Sequence, residues 1–277
     1  MAKKRLKKFL QAYLDIEKIK LVPSSFDIIG HIAVIEFPDE LKKEKRIIAK
    51  VMIDVHKNIK TVLEKVSERG GKLRLRKYKF LAGKKRFETI HKEFGCLFKL
   101  NPKKVYFSPR ELTERQRIAE QIKPKEKILA MFSGINPFPI IISKKQPTTE
   151  IIAIEMNKEA VRYAIENLRL NRIKNVKTYC GDVKNILPKL NMKFDRIIMP
   201  LPLGAESFLD LALKYIKKNG MIHFYNWGTE DDLFGNVLKI LKENARKMKK
   251  RYRTINKKKV LKYAPKKWKI CLDVLVK

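Results

Sequence analysis

Cysteine, glycine, acidic side chains and long apolar runs are all scarce in this sequence, and each scarcity removes a class of protein. The three cysteines, Cys96, Cys180 and Cys271, stand far apart in 277 residues. They form no CxxC pair, and the four histidines (His31, His56, His91 and His223) are scattered. This argues against a disulfide framework and a structural zinc site, and for a reducing cytoplasm with no metal cofactor. No uninterrupted apolar run of about 18 residues occurs, and the opening MAKKRLKKFL lacks the apolar core of a secretory signal. A cytoplasmic protein without a membrane partner is expected. The 11 glycines include no GxGxxG and no P-loop with its Lys-Ser/Thr pair, which argues against a phosphate-cleaving ATPase.

The deficit of acid has the widest consequence. Against 65 Lys and Arg stand 29 Asp and Glu, a formal net charge of +36. Such an excess repels itself within a compact fold and calls for a polyanionic partner, with nucleic acid first in line. A lysine-rich thermophilic proteome is the plainer explanation, but there glutamate rises alongside lysine, and here it does not. The charge is also concentrated. Lys3, Lys4, Arg5, Lys7 and Lys8 crowd the N-terminus, and from Lys242 to Lys269 the only acidic residue is Glu243. Tyr252, Tyr263 and Trp268 are interspersed in that second block. They suit stacking on unpaired bases, although strand-core packing is the expectation for Tyr263 and Trp268.

What is present falls into two textures. Residues 26–37 read as two strand-like runs around Gly30-His31, and residues 39–65 place apolar side chains at helical spacing from Leu41 to Val62. Short strand-like segments follow at 73–83, 87–100 and 104–109. This predicts an α+β domain over residues 1–110. A connecting helix is expected at 111–123. From Lys127 strands alternate with helices, which predicts a parallel, doubly wound α/β sheet of Rossmann-like type over residues 111–277. Its strands are expected at 127–134, 150–157, 176–183, 195–202 and 220–228, with helices near 158–171, 204–218 and 230–249. The last stretch, 267–277, is expected to complete an antiparallel edge.

In such a sheet the ligand lies beyond the carboxyl ends of the strands. The first strand runs into Phe132-Ser133-Gly134-Ile135-Asn136-Pro137-Phe138. Glu155 ends the second and can accept hydrogen bonds from both hydroxyls of a ribose, or serve as an acid beside the helix capped by Asn157. Asp182 follows Gly181 at the third and can bind an adenine amino group or make an ordinary turn. Loop and two acids on successive strands together indicate adenosine binding. After the fourth strand, Pro200 and Pro202 make a stiff turn, suited either to shaping a substrate pocket or to a rigid connection.

Several ordered motifs then resemble one family. They are Ser25-Phe26-Asp27-Ile28-Ile29-Gly30, the segment from Glu88 to Gly95, Val105-Tyr106-Phe107-Ser108-Pro109-Arg110 with Glu114-Arg115, Met131-Phe132-Ser133-Gly134 with Pro137-Phe138, Asp195-Arg196-Ile197-Ile198-Met199, and Tyr263-Ala264-Pro265. The chain resembles the archaeal and eukaryotic type of tRNA (guanine-37, N1)-methyltransferase, with its wybutosine-pathway relatives, from about residue 22 onward. The resemblance implies S-adenosyl-L-methionine (SAM) at Phe132, Ser133, Gly134 and Asn136, with Glu155 and Asp182 on its adenosine. It implies tRNA, near the anticodon loop, as partner. Glu114 would be the general base, Arg110 its neighbour, and Arg74, or failing that Arg76, the guanidinium that steadies the target guanine. Arg76, Pro200 and Pro202 would line the substrate site.

On the residues alone, Glu114 reads instead as a solvated helix acid paired with Arg115 or Arg110. Three features depart from the family pattern. Asn136 stands where glycine is common, Pro200 where some members carry an asparagine, and the chain starts where longer members have their second domain. The rival readings are a wybutosine-pathway transferase, which methylates a tricyclic guanine carbon or moves an aminocarboxypropyl group, and a non-catalytic RNA-binding protein.

Overall fold

The computed structural model describes residues 2–68, 70–71 and 73–277, with side chains from Leu6 onward, so Lys3, Lys4 and Arg5 of the basic N-terminus lie outside the described side chains. The chain divides into two compact units, Met1–Pro109 and Arg110–Lys277.

The first unit begins with helices α1 (Ala2–Leu10) and α2 (Ile16–Leu21), the latter capped by the Asp15 carboxylate on the Lys18 amide. Strands β1 (Asp27–Ile29) and β2 (Ile32–Ile35) form a hairpin whose turn needs glycine. Gly30 has φ +56, and a Cβ there would lie 2.1 Å from the Thr89 hydroxyl. Helix α3 (Lys45–Val55) then crosses over to β3 (Thr61–Lys65), which pairs parallel with β2 and antiparallel with β4 (Tyr78–Gly83). Ile48, Met52 and Val55 of α3 face Ala33, Ile35 and Val62 of the sheet, and these form the core. A separate hairpin, β5 (Thr89–Glu93) and β6 (Cys96–Leu100), turns at Phe94 and Gly95, both at positive φ.

Two expectations fail in this unit. The helical spacing from Leu41 to Val62 breaks at Val55, because Val62 lies on β3. Apolar positions 55, 59 and 62 fit a helix by count, but the Thr61-Val62-Leu63 run gains more from pairing with β2. Residues 104–109 form no strand. Val105 and Phe107 are buried by packing, with the Phe107 ring 5.2 Å from His91 and 6.0 Å from Phe98, and no ladder is needed.

The second unit opens with helix α4 (Leu112–Glu120) and then winds β7 (Lys127–Met131), α5 (Pro137–Lys145), β8 (Glu150–Glu155), α6 (Lys158–Leu170), β9 (Val176–Cys180), α7 (Val183–Leu190) and β10 (Phe194–Met199). Helix α8 (Leu209–Tyr215), β11 (Ile216–Thr229), α9 (Gly235–Lys247), β12 (Tyr252–Ala264) and β13 (Lys267–Val276) complete it. The strand order is β12-β13-β11-β10-β7-β8-β9, parallel from β11 to β9. The α/β, Rossmann-like expectation holds. The order reverses at β7, which places the crevice beyond that strand's carboxyl end.

Helices α5 and α7 were hidden in the sequence by their prolines. Pro137 and Pro139 sit in the first turn of α5, where backbone N–H groups have no intrahelical partner in any case. The final strand is not the edge: β13 lies inside, antiparallel to both β11 and β12. The edge is β12, built from the basic block. Trp268 packs partly buried against the core as expected, but Tyr263 is 41% exposed. Among the described residues no helix is long and apolar enough to cross a membrane.

Candidate cofactor and catalytic site

The loop after β7 is built from left-handed residues: Phe132 (φ 54), Gly134 (φ 56) and Asn136 (φ 65). Glycine enters that region freely, and asparagine most readily after it. Asn136 therefore keeps the backbone shape for which glycine is otherwise used. Its Nδ2 also donates to Thr178 Oγ1 at 2.8 Å, which ties the loop to β9. The Ser133 amide donates to the Ile154 carbonyl at 3.0 Å, which ties the loop to β8.

Glu155 joins the two turns. Its Oε2 accepts from the Gly134 amide and its Oε1 from the Asn157 amide, both at 2.8 Å. Burial raises its carboxyl above the ordinary value, and the bonds from the Asn157 and Gly134 amides only partly offset this. Each oxygen keeps a lone pair for a further donor. Asp182 caps α7, with Oδ1 accepting from the Lys184 amide at 2.8 Å, and among the described residues no other bond fills its Oδ2. Both readings of these acids are thus compatible in one geometry, with the backbone bonds fixing carboxylates that can still accept.

Two buried polar atoms in this loop, Ser133 Oγ and Asn136 Oδ1, have no hydrogen-bond partner among the described residues. Orphaned polar groups beside a strand-end crevice are what a polar ligand would satisfy. The edge therefore fits an adenosine-bearing cofactor such as SAM, with hydroxyls for Glu155, an amino group for Asp182 and donors for the loop.

A second group of side chains lies on helix α4 and on strands β11 and β13. Glu114 is 3% exposed, so it is not a solvated acid. Its carboxylate accepts from Arg117 at both oxygens (2.7 Å at Oε1, 2.8 Å at Oε2) and from the Tyr225 hydroxyl at Oε1, 2.6 Å. Arg117, three residues on along the same helix, replaces the Arg115 or Arg110 expected from sequence. Arg117 also donates to Asp273 Oδ2 at 2.6 Å. Asp273 Oδ1 bonds His223 Nδ1 at 2.6 Å, and His223 Nε2 faces the Arg196 guanidinium at 2.7 Å. Arg196 is paired in turn with Glu126 at 2.7 and 2.9 Å.

The histidine tautomer follows from its neighbours. Arginine can only donate, so Nε2 accepts and the proton sits on Nδ1, donating to Asp273. Burial lowers the imidazole's pKa below its ordinary value despite the Asp273 bond. Burial alone would raise the Asp273 carboxyl, but the bonds from His223 and Arg117 together hold it well below the usual carboxylate range. Burial also pushes the Tyr225 phenol and the Cys271 thiol well up, so both stay protonated. His223, Cys271 and Asp273 have their donor atoms within 4.8 Å of one another, a grouping that could hold a metal ion. Arg117 and Arg196 already neutralise it, and a cation there would meet two guanidiniums.

The remaining candidates are placed as follows. Arg110 opens the second unit, next to α4. Arg74 (φ 55) and Arg76 belong to the first unit, in and just after the turn where Gly70 bridges Leu75, and Arg76 bonds Glu68 at 3.2 Å. Pro200 and the buried Pro202 follow β10, ahead of a left-handed Gly204. Sequence reading missed Arg117, Tyr225, His223 and Asp273. The alternation of β11 and β13 was the available signal, since it puts a His, a Tyr and an Asp where apolar side chains would be expected.

Residues 89–254 match the family model of the TRM5/TYW2 methyltransferase domain, and residues 6–86 that of the TYW2 N-terminal domain. The chain belongs to the TRM5/TYW2 methyltransferase family. Within it, the tRNA (guanine(37)-N(1))-methyltransferase Trm5b of Pyrococcus abyssi is 40% identical over 257 residues, 93% of this chain and 76% of that protein. The structure of aTrm5 with tRNALeu superposes with a TM-score of 0.85 at 30% identity, over 98% of this chain and 77% of that one. The TYW2 of Pyrococcus horikoshii in complex with MeSAdo gives 0.83 at 28% identity, over 99% and 98%. The family expectation drawn from the motifs is thereby met, and it covers both units.

Proposed function

We propose that this protein is a SAM-dependent tRNA methyltransferase that methylates N1 of guanosine 37, beside the anticodon. The observation that carries the reading is the 40% identity to a tRNA (guanine(37)-N(1))-methyltransferase over 93% of the chain. Its chemical support is a strand edge suited to adenosine and a buried carboxylate held ready by its neighbours.

SAM, when bound, supplies an electrophilic methyl group on a positively charged sulfur. Glu155 and Asp182 would hold the adenosine, and the Phe132–Asn136 loop would supply polar groups to the cofactor. Guanine N1 carries a proton near neutral pH and becomes a good nucleophile only when it is removed. Glu114 accepts that proton. Its Oε1 already receives two bonds and its Oε2 one, so Oε2 is the atom with room for it. Arg117 and Tyr225 fix the carboxylate in place, and Arg110 shapes its surroundings. Arg74, or Arg76 in its stead, steadies the negative charge that grows on guanine O6. Pro200 and Pro202 give the substrate side of the crevice a rigid wall.

The match of residues 6–86 to the TYW2 N-terminal domain favours a second reading, a transfer to a tricyclic guanine of the wybutosine pathway. The tRNA(Phe) (4-demethylwyosine(37)-C(7)) aminocarboxypropyltransferase of Pyrococcus horikoshii is 32% identical over 99% of this chain and 97% of its own. Mass spectrometry of nucleosides from tRNA incubated with protein and SAM separates the two. 1-Methylguanosine is the expected product, and its absence, with modification only of a tricyclic precursor, would establish the second reading instead.

A further inference from the structure

The edge strand β12 carries more positive charge than the sheet requires. Arg253, Lys257, Lys258, Lys259 and Lys262 are all exposed, and no acidic side chain lies between Glu243 and Asp273. Lysine on an edge strand keeps other chains from pairing with it, but that role asks nothing of nearby aromatic rings. Here both tryptophans of the chain stand at the β12–β13 tip. The Lys259 ammonium lies 3.6 Å from the centre of the Trp268 ring and that of Lys262 5.7 Å. The Trp227 ring meets Lys267 at 5.4 Å and the Tyr263 ring at 4.5 Å, tilted by 49°.

The position of this cluster matters as much as its content. The pairs Tyr225–Cys271, Trp227–Lys269 and Thr229–Lys267 place Trp227 and Lys267 on the sheet face that carries Tyr225, while Trp268 with Lys259 and Lys262 lies on the opposite face, so the two groups flank the tip from both sides. Tyr225 is bonded to Glu114. Trp227 lies two residues further along β11, about 7 Å toward the strand's carboxyl end. That is the end at which β7 and β8 carry the adenosine-type loop.

We propose that the β12–β13 tip is an RNA-docking surface. Lys259, Lys262 and Lys267 neutralise phosphates of the substrate tRNA, and the Trp227–Tyr263 pair stacks on an unpaired base of its anticodon loop. The assignment rests on the tRNA reading above. Lysines without a carboxylate partner can exchange counterions for phosphates, and the exposed Tyr263 ring backed by the half-buried Trp227 offers a stacking face that accepts bases whatever their identity.

Trp227 and Trp268 are the only tryptophans in the chain, so tryptophan emission reports on this tip alone. Titration with an unmodified tRNA transcript bearing guanosine 37, without SAM, should change that emission with the same saturation as filter binding. Replacing Lys259, Lys262 and Lys267 together by alanine should weaken tRNA binding by about tenfold or more and flatten its log–log salt slope by about 2 to 3. Trp227→Ala should weaken it roughly tenfold. SAM affinity should not change in either variant, which also shows that the sheet has folded. Should the triple variant fail to fold, the wild-type emission titration decides. Binding of tRNA with unchanged emission, or a folded triple variant with wild-type affinity and salt slope, overturns the docking surface and leaves the tRNA substrate standing. A wild-type protein that binds no tRNA overturns the substrate reading and the docking surface with it.

Discussion

Cations serve two opposite ends within the second unit. Arg117, Arg196 and Lys269 are largely withdrawn from solvent and each is bound to a carboxylate, Arg117 to Glu114 and Asp273, Arg196 to Glu126, and Lys269 to Glu111. Lys257, Lys258, Lys259 and Lys262 stand on the surface of β12, with no ion pair among the described residues. The difference shows that the net charge of +36 is not one feature. Every one of these inner cations is met by at least one acid, because an unpaired buried charge is too costly to keep. The outer ones have been left unmatched, where solvent screens them and a polyanion can reach them.

Removing one partner from the inner set should break this contrast most severely. Asp273→Ala takes from Arg117 one of its two carboxylates and from His223 its only one, and should lower stability by about 3–5 kcal/mol, read as a shift in denaturant midpoint. A change below 1 kcal/mol would show that the network is not a matched set. The network also predicts acid sensitivity. His223 is held neutral with its pKa lowered, so stability should begin to fall as pH drops below its unfolded value of about 6.5. Asp273, whose pKa is depressed, adds stability that is complete above about pH 4 and is lost on further acidification. Denaturant curves from about pH 8 to about pH 2 check this, and an Asp273→Asn protein with the same slope below about pH 4 would contradict it.

Glu114→Gln separates function from packing in the same network. The amide keeps the shape but cannot take the proton, so turnover should fall by about a hundredfold or more while SAM affinity stays put. An unchanged rate of methylation would remove Glu114 from the reaction. At the strand edge, Glu155→Ala should weaken SAM binding by roughly tenfold to a hundredfold, measured by calorimetry. Because burial raises the Glu155 carboxyl, wild-type SAM affinity should also decline as pH falls toward that raised value. The outer lysines mark the small end of the scale. Lys258→Ala should change stability by no more than about 0.5 kcal/mol in thermal unfolding, since it removes no buried pair.

The same contrast explains what could be read beforehand. Charge distribution, the βαβ rhythm and the strand-end positions of Glu155 and Asp182 are local patterns, and sequence carries them. The match of Asn136 to a left-handed turn was legible as a departure, but its harmlessness needed the φ value. Helix α5 escaped because proline forbids a helix interior yet is tolerated in a first turn, and α7 because it carries Pro188 near its end, where a proline normally signals that a helix has stopped. The Glu114–Arg117–Asp273–His223 network escaped for another reason. Two of its links join residues 50 and 156 positions apart, and only the antiparallel insertion of β13 beside β11 brings them together. Aromatic residues in strands usually pack, which predicts a core role for Tyr263, and the edge position of β12 leaves it exposed instead.

Transfer of a labelled methyl group tests the central claim most directly. Protein and labelled SAM would be given an unmodified tRNA transcript with guanosine at position 37, and the same transcript with adenosine there. Label in the first alone, recovered as 1-methylguanosine, is the predicted result. Label in neither, or equally in both, would contradict the account.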